Sequence, residues 1–143
     1  MLYLRVASFL FAAPLLASGA VLAADTPTVT SEVLLKSTSS WDGTAYMRYP
    51  DGTPELTTLK ITIPPRTELP WHTHPMPNVA FVLTGELTVE QREGGQSKTI
   101  KAGDVLPEMV NLNHRGRTGD NPVVLIVFYA GTKGMPLSEP PKQ

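Results

Sequence analysis

"VAFVLTGELTVEQREGGQSKTIKAGDV", residues 79–105, has the texture that runs through most of this chain. Short runs of Val, Ile, Leu, Phe and Thr are broken by Gly or Pro roughly every eight to twelve residues, the spacing of short strands joined by turns. No stretch repeats apolar residues at the three-four spacing of an amphipathic helix, and 14 prolines in 143 residues would interrupt most helices that began to form. Within the quoted stretch, Leu87, Val89 and Gln91 alternate with Thr88, Glu90 and Arg92 before the Gly94-Gly95 turn. That pattern predicts a hairpin with one buried and one solvated face. The fold class is therefore all-β, a sandwich or a closed barrel.

The same texture extends to both sides. "LTTLKITIPP" at 56–65 precedes it, and "NPVVLIVFYAG" at 121–131 follows it. The run "VVLIVFY" is apolar at every position, which predicts a strand buried on both faces. Phe81, Leu83, Leu87, Val89, Leu125, Val127 and Phe128 are expected in the barrel wall or core. Upstream, "WDGTAYMRYPDGTPE" holds two Asp-Gly pairs and two prolines, which mark turns. The expected organisation is an arm with an edge strand over 24–55, one barrel core over 56–131 and a tail over 132–143.

Residues 1–23 differ in kind. A single early Arg5, the charge-free run "VASFLFAAPLLASGAVL" and the small residues of "AVLAAD" are laid out as a secretory signal peptide cut after Ala23 or Ala24. A periplasmic or secreted domain is expected, with no membrane association once the signal is removed. The chain has no cysteine, so this domain must be held by its core alone. A net charge of −1 without any Lys/Arg cluster argues against a nucleic-acid partner.

The chemistry sits in three histidines. In "WHTHPMPN", residues 71–78, Pro70 and Pro75 exclude helix, and residues two apart on an extended chain share a face. His72 and His74 then project together, with Cα atoms about 7 Å apart, within reach of one ion. His114, the third and last histidine, follows 40 residues after His74 near the end of another extended run. If its strand pairs with the first, three imidazoles meet inside the barrel.

This spacing resembles that of the cupin superfamily, whose first motif runs G-x5-H-x-H-x(3,4)-E-x6-G and whose second runs roughly G-x5-P-x-G-x2-H-x3-N. His72 and His74 fall on the first motif's histidines, Asn78 on its glutamate and Gly85 on its final glycine. Gly103, Asp104, Pro107, His114 and Thr118 follow the second. The resemblance covers residues 56–131 and implies a single-domain jelly-roll β-barrel that holds one divalent transition metal. Fe(II) is favoured, with Zn, Ni, Mn or Cu as alternatives. It also implies a small-molecule substrate and pairing into a homodimer.

Three departures stand out: Arg66 replaces the opening glycine, the second motif is longer before His114 with Glu108 in the insertion, and Asn78 replaces the carboxylate. An amide oxygen ligates weakly or through water, so the expected donor set is three neutral imidazoles with open positions. Cupin dioxygenases that act on thiols and diketones work with such a set. By that resemblance, an Fe(II)-dependent dioxygenase on a small chelating substrate is expected. The alternatives are a non-redox isomerase or lyase on a sugar or hydroxy-carbonyl compound, and a non-catalytic binder of a small ligand or metal. Glu108 is the candidate general base if it points inward, with Glu86 as its rival. Arg115 and Arg117 are candidates to grip a substrate carboxylate. Trp71 and Met76, beside the ligands, are candidates for the rim of a pocket.

Overall fold

The computed structural model describes residues 28–143. The expected signal peptide lies outside the described residues. The chain divides into Met1–Ser31 and Glu32–Gln143, and all the secondary structure described here belongs to the second unit.

Seven strands form: β1 (Pro54–Ile63), β2 (Asn78–Thr84), β3 (Glu86–Gln91), β4 (Ser97–Lys101), β5 (Val105–Pro107), β6 (His114–Thr118) and β7 (Val123–Thr132). All pair antiparallel, in one sheet ordered β1-β7-β2-β5 and another ordered β4-β3-β6. No helix forms among the described residues. The hairpin read from the sequence is β3–β4, with Leu87 and Val89 buried and Glu86 exposed. Its inward residues meet Ile63, Val82, Ile100, Leu106, Val123, Leu125 and Val127 in one core. This is the two-sheet jelly roll expected from the sequence.

Three expectations are corrected. Residues 28–53 form no strand, only an isolated bridge between Ser39 and Ala45, because the turn residues around Asp42 and Gly43 fold that segment back on itself. β7 is not buried on both faces: Val123, Leu125, Val127 and Tyr129 point inward, while Phe128 is 39% exposed on the outer face. Leu83, at a register shift in β2, is 45% exposed. A strand's period of two sends these side chains outward whatever their hydrophobicity. Finally, residues 132–143 are not a free tail, since Thr73 and Glu139 exchange backbone hydrogen bonds of 3.0 and 2.9 Å.

The segment that carries the first two histidines has no strand of its own, yet its path is fixed. It runs along the free edge of β6, with backbone bonds from Arg66 to Gly119, Thr118 to Thr67, Leu69 to Gly116, and both ways between His72 and His114. Arg66 starts this course in the left-handed region, at φ 53°, where the family pattern has a glycine. Thr118 anchors the turn, donating to the Pro64 carbonyl (2.7 Å) and accepting from the Thr67 amide (2.9 Å). The segment thus covers an edge that would otherwise expose unpaired backbone groups.

Candidate metal centre

His72 and His114 are direct neighbours across this edge, their amides and carbonyls paired at 3.0 Å in both directions. Cross-strand pairing puts both side chains on one face, and His74, two residues on, joins them. Ring centroids are 4.6 Å apart for His72 and His114 and 4.9 Å for the other two pairs. One nitrogen from each lies within 4.8 Å of the others.

Each imidazole is oriented by a backbone carbonyl. The Nδ1 atoms of His72, His74 and His114 donate to the carbonyls of Pro70 (2.8 Å), Leu137 (2.6 Å) and Leu112 (2.8 Å). A carbonyl can only accept, so Nδ1 carries the proton and Nε2 keeps a lone pair. Burial lowers the pKa of all three, that of His74 to about 3, against a smaller upward pull from these carbonyl bonds. At neutral pH the cluster is three neutral bases, the state a transition metal requires.

Glu108 completes the cluster. Its carboxylate is buried, and Oε2 stands 3.5 Å from His114 Nε2. Neither atom has a hydrogen-bond partner. Burial pushes the carboxyl up to about 7, against a weaker pull from His72. Glu86, its rival in the sequence reading, is exposed on β3. Two facing acceptors with no donor between them are satisfied by a shared cation, so this donor set fits a metal ion.

A cavity of about 70 Å³ opens beside these groups, walled by Ile61, Leu69, Leu125, Val127 and Tyr129 among others. Tyr129 lies edge-on to His74, centroids 5.7 Å apart, and burial with the nearby Glu108 pushes its hydroxyl pKa up to about 12. It therefore remains a proton donor at any working pH. Asn78 is fully buried, with its Nδ2 donating to the Met76 carbonyl at 3.3 Å and its Oδ1 unpartnered.

Neither Arg115 nor Arg117 turns its guanidinium to the histidines, although Arg115 is among the residues that border the cavity. Alternation along β6 turns them away from His114, and both bind Glu90 on β3, at 2.9 and 2.7 Å, while Arg115 also binds Glu68 at 2.8 Å. Trp71 lies under the Arg115 guanidinium, 4.5 Å from its ring, so it too belongs to the outer surface. These expected substrate contacts are corrected to a surface ion network, because neighbours of inward histidines on an extended chain face outward. Met76 packs in the core rather than on a rim.

Four contributors were not anticipated. Tyr46 donates to the Glu108 carbonyl at 2.6 Å and fixes the backbone there. Asn113 is bonded in both directions to the Lys142 backbone, at 2.9 and 2.8 Å, which pins the end of the chain beside His114. Leu137 supplies the carbonyl for His74. Tyr129 was legible in principle, since alternation from Leu125 and Val127 puts it inward.

The family model of the cupin domain matches residues 59–129, and the chain belongs to the cupin superfamily. No curated protein matches it in sequence. Among solved structures it is similar to the DMSP lyase DddQ from Ruegeria pomeroyi, with 24% identity, a TM-score of 0.54, and coverage of 62% of this chain and 45% of the lyase. It is also similar to the polyketide cyclase RemF from Streptomyces resistomycificus, with 16% identity, a TM-score of 0.53 and coverage of 62% and 61%. An uncharacterised conserved protein with a double-stranded β-helix domain from Klebsiella pneumoniae gives 23% identity, a TM-score of 0.50 and coverage of 68% and 87%. At these identities the likeness is one of fold, and the chain spans less than half the length of the lyase.

Proposed function

We propose that this protein is a metal-dependent enzyme, exported to the periplasm, that acts on a small organic molecule able to chelate the metal. The observation that carries the reading is the convergence of three Nε2 lone pairs, each fixed by a carbonyl behind it. His72, His74 and His114 would hold a divalent transition metal, Fe(II) by preference, which when bound supplies Lewis acidity and redox capacity.

The chain's own residues limit what can enter. A cavity of about 70 Å³ beside the histidines has room for a chelating head group of a few atoms. Its lining is mostly apolar, and the Tyr129 hydroxyl can donate to an oxygen of the bound group. An apolar site with open positions suits a dioxygenase-type reaction. The protein reconstituted with Fe(II) should consume oxygen with one of a panel of small thiols, diketones and catechols, and the His72→Ala variant should not. Equal consumption by the two would refute the reading.

Glu108 favours a second reading. A carboxyl poised at about 7 can take up and release a proton at neutral pH, as a non-redox lyase or isomerase needs. Lyase and cyclase activities occur on this fold among the proteins named above. Turnover without oxygen, retained with Zn or Ni, would select this alternative.

A further inference from the structure

We propose that Glu108 is a fourth protein ligand of the metal, supplying from the segment after β5 the carboxylate that β2 lacks at Asn78. The inference rests on the metal-binding reading above and deepens it.

Strand register comes first. β2 and β5 pair with Val79 opposite Pro107, and the next step places Asn78 opposite Glu108, joined by the Glu108 amide to the Asn78 carbonyl at 3.0 Å. Residues directly opposite on antiparallel strands point to the same face, with Cβ atoms about 5 Å apart. A glutamate side chain spans that separation. The carboxylate can thus leave the position read by the family motif and still face the same ion from the next strand.

The electrostatics agree. His114 Nδ1 is committed to the Leu112 carbonyl, so Nε2 presents a lone pair to Glu108 Oε2. At 3.5 Å the two are too far apart for a good hydrogen bond, and no Lys or Arg pairs with the carboxylate among the described residues. Two donors bound at about 2.1 Å to one ion lie about 3.0 Å apart at a right angle and about 3.4 Å at the tetrahedral angle. The observed 3.5 Å is close to the tetrahedral value, as expected of two ligands of one ion. Asn78 also keeps a buried Oδ1 without a partner, but a neutral amide oxygen is a weaker ligand than a carboxylate and brings no charge to the ion.

The pinning of Glu108 supports a positioned ligand. Tyr46 holds its carbonyl, the Asn78 carbonyl holds its amide, and the following loop is tied down by the Asn111 amide bonding to the His74 carbonyl at 2.9 Å. The donor set becomes three nitrogens and one carboxylate oxygen. It lowers the formal charge at a divalent ion from +2 to +1 and leaves two sites of an octahedron for a chelating substrate.

The test uses the full chain stripped of metal and titrated with Co(II), read by its visible absorption and by the shift in melting temperature. Wild type should bind Co(II), Glu108→Gln should bind on the order of 100-fold more weakly with a changed spectrum, and Asn78→Ala should lose less than about tenfold. Metal-free Glu108→Gln should melt above metal-free wild type, because an unpaired buried carboxylate is removed, and this also shows that the variant folds. An unchanged Co(II) affinity and spectrum in Glu108→Gln would overturn the proposal while leaving the three-histidine site standing. A larger loss from Asn78→Ala than from Glu108→Gln would overturn it in favour of the amide. Absence of Co(II) binding by wild type would instead remove the metal reading itself.

Discussion

Asn78 and Glu108 lie face to face on adjoining strands, 30 positions apart in sequence and joined by one backbone hydrogen bond of 3.0 Å. A motif read along the chain registers the first as a lost carboxylate and the second as an inserted charge. In the barrel they are cross-strand neighbours, and Glu108 reaches the three imidazoles.

The metal-free protein should respond to pH with two opposed limbs. Folded histidines sit below 6.5, His74 near 3, so the unfolded chain binds protons that the native state refuses, and stability falls on acidification below about 6.5. Glu108 acts oppositely: its native pKa near 7 exceeds the ordinary 4.5, so its contribution is full below about 4.5 and is lost as pH rises to 7. The loss amounts to about 3 kcal/mol at most. Denaturant midpoints measured across pH should show the upper limb in wild type and not in Glu108→Gln. Parallel curves for the two proteins would contradict the assignment.

Removing residues 136–143 should damage the metal centre without touching a ligand. His74 loses the Leu137 carbonyl, and Thr73 loses its pairing with Glu139. Metal affinity should fall about 10- to 100-fold, as for loss of a partner behind a ligating histidine. Calorimetric titration of the truncated and full chains checks this.

Asn113→Ala should loosen the same strap from its other end. The buried amide gives and receives a hydrogen bond with Lys142 and also donates to Glu93. A destabilisation of about 1–3 kcal/mol is expected, with faster proteolysis after residue 132. Urea unfolding and limited digestion read the two effects separately.

Gly85→Ala should cost more than about 2 kcal/mol. The glycine sits at φ 83°, and an added Cβ would run into the Pro122 carbonyl and crowd Val123 at 3.1 Å. That backbone belongs to the turn into β7, so the strain cannot be relieved by rotating a side chain. A variant as stable as wild type would show that the β2–β3 turn can relax.

Much of this was legible in the sequence. The β3–β4 hairpin followed from alternation and the Gly-Gly turn, and the shared face of His72 and His74 followed from H-x-H on an extended segment, while His114 joined them only through the resemblance to the cupin motifs and an assumed strand pairing. What was not legible depends on which strand lies next to which. Arg115 and Arg117 looked free because Glu90, which binds both, belongs to another strand. The tail looked loose because its partners, Thr73 and Asn113, lie tens of residues away and bond largely through the backbone. Phe128 and Leu83 were read as wall or core without a choice between them, because hydrophobicity alone does not say which face of a strand meets the opposite sheet; both lie in the wall and face outward.

The link from His74 to Leu137 also orders events during synthesis. His72 and His114 hold each other, and each finds its carbonyl two residues away, so both are set once β6 has formed. His74 must wait for a carbonyl 63 residues downstream. A nascent chain that has not reached Leu137 presents two oriented imidazoles rather than three. On the metal-binding reading, the third imidazole is therefore held in place only once the segment carrying Leu137 has docked.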